Sequence, residues 1–515
     1  MKKFLSNSFI VSFFLLLSKI LGFVRDMLLA TFFGSGVAMQ AFLVAFRIPE
    51  FMRKVASSGA ITQVLNPYIR NEINESQKNF IASVLMVIAV VMLGVVIFCT
   101  LTQSWAVSVY AAGFGDNAAI SQLSSSLFKI MIPYVLFIFI VSIISAILNS
   151  QHKYIVASAI PIMLNVVMII AIVLSKYMQV PIYAVAYGVL VAGVLQLVIA
   201  MYALYRLCGN IQLSKEVIFL KSSKAKLFFR KFPSAFIGAS VLQISSLLET
   251  FFASFLATGS LAWLYYADRV NQFLYGVFGT AIATVMIPYL LKYKNDNAQF
   301  VKIFKKVFNI TIFVTVPAVC GLAMLSKPIV ITLFGYGEFN QLDISNTQVA
   351  MLGYSVSLLC FVLIRVITSA IYVSNKSSAV FRLSLVCLGV NVVMGILVVS
   401  FLSGSKYGFV ALALVTSVVA VINMILQIVV LSGSLERFLQ LFVSLKYFGK
   451  IALATITMLL FLWLINTDAN YWVDMSLVTR FVRLGIMIIA AAVVYVVVLL
   501  IFRVNKDISI KDNNF

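Results

Sequence analysis

The chain has 515 residues, of which 63% are hydrophobic and only 10% are charged. Soluble globular proteins carry roughly 25% charged and about 45–50% apolar residues, so this composition excludes a soluble domain and favours a polytopic membrane protein. A formal net charge of +22 would indicate nucleic acid binding in a soluble protein. Here we expect the basic residues in cytoplasmic loops, and no nucleic acid partner. The single histidine, His152, and five cysteines without a CxxC pair exclude a histidine-rich metal site and give no disulfide framework.

Apolar segments predict fourteen transmembrane helices and an all-α fold, because each segment is long enough, or nearly so, to cross a hydrocarbon core of ~30 Å. The sequence begins with Met1-Lys2-Lys3 and an apolar run but has no small-x-small cleavage site, so we expect an uncleaved first helix. The predicted spans are 6–32, 37–69, 80–102, 125–149, 154–175, 182–206, 231–256, 260–291, 306–326, 346–373, 379–402, 408–431, 449–466 and 479–502.

The distribution of Lys and Arg predicts that both termini are cytoplasmic. Most basic residues then fall in inside loops, and the predicted outside loops 103–124 and 467–478 contain none. The basic residues counted with the outside loops are Lys176, Lys327, Lys406, Arg480 and Arg483, of which the last two lie at the outer end of span 479–502.

The chain contains a weak internal repeat. Residues 36–68 align with residues 259–289, so that Arg47 meets Arg269 and Pro67-Tyr68 meets Pro288-Tyr289. Other collinear matches pair Asp26 with Glu249, Ser145-Ala146-Ile147 with Ser369-Ala370-Ile371, and Asn165-Val166-Val167-Met168 with Asn391-Val392-Val393-Met394. Six predicted spans precede the second copy, which predicts two six-helix lobes in parallel orientation, related by a pseudo-two-fold axis, plus two extra C-terminal helices. The predicted domains are an N-terminal lobe at 1–207, a basic cytoplasmic linker at 208–230, a C-terminal lobe at 231–432, and an additional helix pair with a cytoplasmic tail at 433–515.

Charged side chains lie inside the predicted spans, where each costs at least ~2.5–3.5 kcal/mol near the bilayer centre. They are Lys19, Arg25, Asp26, Arg47, Glu50, Arg53, Lys54, Lys129, Glu249, Asp268, Arg269 and Arg365. Neighbouring pairs such as Arg25 with Asp26 should partly neutralise one another, but the basic members outnumber the acidic ones. The surplus predicts a cavity for an anion, and the planar guanidinium favours a phosphorylated substrate.

The sequence shows no enzyme motif. It has no Walker A loop and no HExxH, so we expect a protein that is not an enzyme, has no cofactor and has no assigned metal site. With no nucleotide site, transport is expected to be coupled to the membrane potential or to a monovalent cation. Weak candidates for holding a cation are Glu249, Asn391 and Thr416, although polar groups at such positions ordinarily hydrogen-bond between helices.

The stretch LSKILGFVRDMLLATFFGSGVAMQAFLVAFRIPEFMRKVASSGAITQVLNPY, from Leu17 to Tyr68, resembles the MurJ/MviN family of lipid II flippases. FASFLATGSLAWLYYADRVNQF (252–273) and LNSQHKYIVASAIPIMLN (148–165) are similar to the same family. The family belongs to the multidrug/oligosaccharidyl-lipid/polysaccharide exporter superfamily. The resemblance implies fourteen helices in two lobes plus a pair, and transport of the undecaprenyl-diphosphate-linked peptidoglycan precursor across the bacterial inner membrane for cell-wall biogenesis. It also implies membrane lipids as surroundings and the cell-wall synthesis machinery as a partner.

The resemblance assigns the diphosphate-binding residues. They are Arg25, Arg53 and Arg269, with Lys19 standing where the family usually has Arg. Asp26 matches the family's acidic neighbour, and the remaining cavity-supporting residues are Arg47, Glu50, Lys54 and Asp268. Gln40 and Ser58 depart from the family, which usually has Asp and Glu at these positions. The helices 449–466 and 479–502 correspond to a pair that borders a hydrophobic groove for the polyprenyl tail.

Other functions remain open at this point. A flippase for another polyprenyl-diphosphate oligosaccharide fits the same features, whereas a cation or drug antiporter should have few arginines and a buried acid pair. A membrane transferase should have an acidic metal cluster or a base, and a scaffold would leave the charges within the spans unexplained.

Overall fold

The computed structural model describes residues 2–69, 74–115, 117–210, 223–433, 445–466 and 469–502. The secondary structure of these residues is helical, which confirms the all-α prediction for the described part of the chain. Helices satisfy every backbone polar group within the segment, as a hydrocarbon environment requires. Among the described residues, ten helices are long and apolar enough to cross a membrane, or eleven if one bent pair counts as a span. The chain divides into two compact units, 1–262 and 263–515.

The first unit contains eleven α-helices among its described residues. They are α1 (Lys2–Phe33), α2 (Val37–Ser57), α3 (Ala60–Leu65), α4 (Glu75–Leu101), α5 (Gln103–Tyr110), α6 (Ala118–Met131), α7 (Tyr134–Ser150), α8 (Tyr154–Ala159), α9 (Ile162–Leu174), α10 (Ile182–Cys208) and α11 (Ser223–Ser254). The prediction of one helix over 37–69 is wrong. Gly59 adopts a φ of 85° between α2 and α3, a backbone conformation that glycine allows and that ends the helix.

Two prolines divide other predicted spans in the first unit. Pro133 separates α6 from α7, and Pro161 separates α8 from α9, because proline lacks the N–H that would continue the helical ladder. Around these breaks α1 packs on α8 and α9, while α2 packs on α6, α7 and α11. The helix α2 therefore packs against several helices, and its charged face is partly covered by them.

The second unit contains the remaining helices of the described residues. They are α12 (Ser260–Lys292), which begins at the boundary, α13 (Asn297–Met324), α14 (Ser326–Phe334), α15 (Gln341–Val373), α16 (Ser377–Leu402), α17 (Gly408–Ser432), α18 (Leu445–Ile465), α19 (Ala469–Asp474) and α20 (Leu477–Ile501). Helices α15 and α17 approach closely at Gly353. A Cβ at this position would lie only 2.8 Å from the Cβ of Ala413. Small residues at such a crossing are typical of helix packing in membranes.

The two additional C-terminal helices, α18 and α20, pack against each other, and both pack against α13. The hydroxyls of Tyr447 and Tyr495 donate hydrogen bonds to the carbonyls of Asn309 and Phe313 on α13, at 3.1 and 2.8 Å. These bonds attach the pair to the rest of the second unit. The predicted linker 208–230 includes 211–222, which lie outside the described residues, and the domain limits stay a prediction.

Candidate functional site

Arg25 and Asp26 form a buried ion pair on α1. Asp26 Oδ1 accepts hydrogen bonds from Arg25 Nε at 2.9 Å and from Arg25 Nη2 at 2.7 Å. The Oδ1 of Asn165, on α9, accepts from Arg25 Nη1 at 3.2 Å, and its Nδ2 donates to the Ser18 carbonyl at 2.9 Å. Arg25 and Asp26 are 7% and 2% exposed. The guanidinium is thus oriented in advance, and an anion must compete with Asp26 for it.

Glu50 on α2 is the centre of a charge cluster, defined here as Arg47, Glu50, Arg53, Lys54 and Glu249. The Glu50 carboxylate lies 3.8 Å from Arg47 Nη1, 3.9 Å from Arg53 Nη2 and 3.5 Å from Lys54 Nζ. Arg47 Nη2 also lies 3.6 Å from Glu249 on α11, and Arg47 Nε donates to the Thr250 hydroxyl. Arg47, Glu50 and Lys54 therefore lie on one face of α2.

The separations within this cluster exceed hydrogen-bond length. N⁺–H···O⁻ bonds measure about 2.7–2.9 Å, whereas the ion pairs of Glu50 measure 3.5–3.9 Å. The contacts between these groups are therefore Coulombic rather than closely bonded. Three cations thus share one largely buried carboxylate, so this part of α2 carries a surplus of positive charge.

Arg53 is the most accessible arginine of the charge cluster, with 30% of its side chain exposed. Its Nε is buried and has no hydrogen-bond partner among the described residues. A buried donor without an acceptor costs about 1–3 kcal/mol. An anion that reached this guanidinium would recover that energy.

Arg269 belongs to the second unit, on α12. Its guanidinium lies over the Tyr265 ring, 4.5 Å from the centroid, and Nη1 donates to Gln272 Oε1 at 3.2 Å. The Gln272 amide in turn donates to Asp268. The cation–π contact and the Gln272 bridge orient the guanidinium while leaving it half-buried.

The other predicted site residues differ in their surroundings. Lys19 is exposed on α1. Gln40 is fully buried on α2, where a neutral amide is cheaper to desolvate than the carboxylate usual in the family.

The residues named as cation candidates have other contacts or lie half-buried. Glu249 forms an ion pair with Arg47 in the first unit, while Thr416 donates a hydrogen bond to the Leu412 carbonyl in the second. Asn391 is half-buried on α16. Among the described residues, the structure gives no cluster of three metal-ligating side chains.

An apolar groove of about 370 Å³ lies in the second unit. Its wall is formed by α13, α18 and α20, with residues such as Phe313, Pro317, Met458, Leu462 and Ala491. Because the Tyr495 hydroxyl at this wall donates to a backbone carbonyl, no free polar group is turned toward a hydrocarbon ligand there. The prediction that the last two spans flank an apolar groove is confirmed.

Sequence reasoning missed Arg480, which it placed in an outside loop. This arginine is 5% exposed, in the first turn of α20. Its guanidinium donates to the carbonyls of Ile331, Gly335 and Val473 at 3.4, 3.0 and 2.6 Å. The only sequence feature that could have indicated its role is its position at the edge of an apolar segment. That position is the same for an arginine in an exposed loop and for a buried arginine that holds helices together.

Comparisons with known proteins give one consistent family. The model of the family described as lipid II flippase MurJ matches residues 29–483. The probable lipid II flippase MurJ of Vibrio cholerae is 33% identical over 408 residues, which cover 76% of this chain and 77% of that protein.

Solved structures agree with this family. A structure of the lipid II flippase MurJ in an inward closed conformation aligns with a TM-score of 0.82 at 25% identity, and the alignment covers 97% of this chain and 99% of that one. An inward-facing multidrug resistance transporter of the MATE family, in the MOP superfamily, aligns with a TM-score of 0.64 at 15% identity over 82% of this chain and 95% of that one. The second match is a likeness of fold alone.

Proposed function

Because the chain belongs to the lipid II flippase MurJ family, it is a lipid II flippase, and we propose how its residues hold and move this substrate. Lipid II carries a diphosphate between a polyprenyl chain and a sugar-peptide headgroup. The protein is a multi-pass membrane protein whose task is transport in peptidoglycan synthesis. We propose that it performs no covalent chemistry on the substrate.

The diphosphate is held by Arg25, Arg53 and Arg269, with Lys19 adding positive charge. The observation that carries this assignment is the charge cluster on α2, in which three cations lie 3.5–3.9 Å from the single carboxylate of Glu50. Phosphate oxygens accept bidentate bonds from guanidinium groups and compensate the surplus charge. Asp26, Arg47, Glu50, Lys54 and Asp268 orient or balance these cations when no substrate is bound.

The polyprenyl chain occupies the apolar groove of the second unit. Burial of apolar area contributes about 25 cal/mol per Å², and the groove of about 370 Å³ accommodates part of a long chain. The rest of the chain then remains in the lipid, so the groove guides the tail rather than enclosing it.

The membrane arrangement is fourteen spans in the bacterial inner membrane, with both termini in the cytoplasm. Helices α1, α2 and α12 then join the segments that are apolar enough to cross, because their charges face protein or substrate. Two six-helix lobes in parallel orientation rock about the substrate and give alternating access.

The energy source is the membrane potential or a monovalent cation gradient, without a cofactor. One elementary charge moved through 100 mV is worth about 2.3 kcal/mol, and a diphosphate carries its charge outward. Glu249, Asn391 and Thr416 are the residues to examine for a coupling cation. Proteins of cell-wall synthesis are the partners we propose for receiving the product.

The test is lipid II in the outer leaflet of cells depleted of their own flippase and supplied with this chain. The wild-type chain should restore outer-leaflet lipid II, and Arg53→Lys should restore it only partly, because an ammonium lacks the bidentate fork. Lys19→Arg is the matched control, since it keeps the charge, and it should retain activity. Full activity of an Arg53→Ala chain present at normal membrane level would refute the diphosphate role.

A further inference from the structure

A second cavity, of about 290 Å³, lies in the first unit between α2, α7 and α8. At a liquid share of ~30 Å³ per water molecule, its volume corresponds to about ten waters, which is the scale of one sugar ring with its hydroxyl groups. Arg53 lines it. The guanidinium of the charge cluster thus also borders this cavity, here named the α7 pocket.

The polar wall of the α7 pocket is mostly neutral. It offers the hydroxyls of Ser57, Thr62, Ser142, Ser145 and Ser158 and the amides of Asn149 and Gln196. Among the described residues that line it, there is no carboxylate, and Arg53 is the only cation. A peptide amine would lack a counter-charge here, and a hydrocarbon chain would leave these polar groups without partners.

Several side-chain oxygens in the wall of the α7 pocket can accept a hydrogen bond from a ligand. Ser57 and Ser158 donate to carbonyls of their own helices at 2.7 and 2.8 Å, so that their oxygens retain lone pairs for a ligand. Gln196 is 1% exposed and donates through Nε2 to the Ile160 carbonyl at 3.1 Å. Its Oε1 is buried and has no partner among the described residues. A ligand hydroxyl would satisfy this acceptor.

Apolar side chains complete the pocket, among them Leu15, Val141 and Leu164. Sugar rings present apolar C–H faces and a rim of hydroxyls, which matches a wall of this mixed kind. We propose that the α7 pocket binds the sugar ring attached to the diphosphate of the lipid-linked substrate, with Arg53 at the junction between sugar and phosphate. This assignment rests on the proposed function and adds a specificity site for the headgroup.

The experiment compares two ligands on the purified full-length protein: lipid II and the same polyprenyl diphosphate without sugar. Ser145→Leu, which places an apolar branch in the half-buried pocket wall, should weaken binding of lipid II about tenfold, since one or two hydrogen bonds are lost. The affinity for the sugar-free lipid should stay unchanged. Ser126→Leu, an exposed serine of the same unit outside the pocket, is the matched control and should change neither affinity.

Ser142→Leu gives a second variant of the same wall, and it replaces Ser145→Leu if that variant fails to reach wild-type melting temperature. Equal loss for both ligands, or no loss for lipid II, overturns the inference. Wild-type protein that binds neither ligand refutes the proposed function as well, whereas binding of both without sensitivity to the pocket variants refutes the pocket alone.

Glucose 1-phosphate, a soluble sugar phosphate, should not displace lipid II at millimolar concentration. Displacement that Ser145→Leu abolishes would assign the pocket to free sugar phosphates and overturn its assignment to a lipid-linked sugar.

Discussion

The charge cluster of the first unit and the apolar groove of the second unit differ in whether their side chains need partners inside the protein. Around Glu50, charges are held close to one another in the absence of substrate, because an isolated buried charge is far more costly than a paired one. The groove beside α13, α18 and α20 needs no internal partners, since its wall is apolar and the Tyr495 hydroxyl is already bonded. Each region therefore suits one end of an amphiphilic substrate.

Arg480 and Arg53 show the same contrast in single residues. Arg480 donates to three backbone carbonyls and lies over the Tyr336 ring, at 4.8 Å from the centroid. Arg53 has 30% of its side chain exposed, and its Nη2 lies 3.9 Å from Glu50. The comparison teaches that an arginine whose Nη groups are bonded to backbone carbonyls anchors helices, whereas a more accessible arginine beside a carboxylate is available to a ligand.

The largest expected effect is the loss of transport in Arg53→Ala. Hydrogen bonds to charged groups contribute about 1.5–3 kcal/mol, which corresponds to about 10- to 150-fold in substrate affinity. Outer-leaflet lipid II in flippase-depleted cells measures the result. Arg206→Ala removes an exposed arginine from the last turn of α10 and should leave transport intact. Equal losses in both variants would mean that general positive charge, and not this site, is required.

The second prediction concerns the pair of Arg25 and Asp26. Asp26→Asn leaves the buried guanidinium uncompensated and should lower the amount of protein in the membrane, because breaking a buried ion pair costs about 3–5 kcal/mol. Arg25→Gln combined with Asp26→Asn removes both charges. This double variant should recover membrane level in an immunoblot while transport of lipid II stays lost. Recovery of transport as well would show that Arg25 only balances Asp26.

The third prediction addresses the groove. A Cβ on Gly321 would lie 3.8 Å from Met458 Cε, so Gly321→Phe should place its ring in the groove and reduce affinity for a long polyprenyl diphosphate by about tenfold. Affinity for a short-chain analogue should change little. The matched variant is Gly389→Phe, where the structure leaves open space around the new side chain. Equal sensitivity of both chain lengths would contradict a role for the groove in binding the tail.

The smallest effect on transport is expected for Arg480→Met, which removes the bonds from α20 to α14 and to the segment before α20. The expected consequence is a lower melting temperature of the purified protein, since several buried hydrogen bonds contribute about 1 kcal/mol each. Arg483→Met removes cation–π contacts at Tyr471 and Trp472 and should lower the melting temperature less than Arg480→Met does. A loss of substrate binding at unchanged melting temperature would instead place Arg480 in the transport site.

The sequence alone determined the helical class, and it predicted the pairing of Arg25 with Asp26 that the structure confirms. Hydrophobicity and the free energy of burying a charge are properties of each residue, so they can be read from the sequence. The resemblance to the family also predicted an apolar groove beside the last two spans, where the structure has one. The same reasoning failed for span 37–69, where a glycine with positive φ at Gly59 divides the helix.

Only the tertiary structure decided which distant groups meet. Arg47 reaches Glu249 and Thr250 on α11, and Arg25 reaches Asn165 on α9, although the residue spacing along the chain specifies neither contact. Gln196 and Arg53 line the same pocket although they lie on α10 and α2. The physical reason is that apolar helices can pack on many faces, and the arrangement that pairs their few polar groups is a property of the whole packed unit rather than of any one segment.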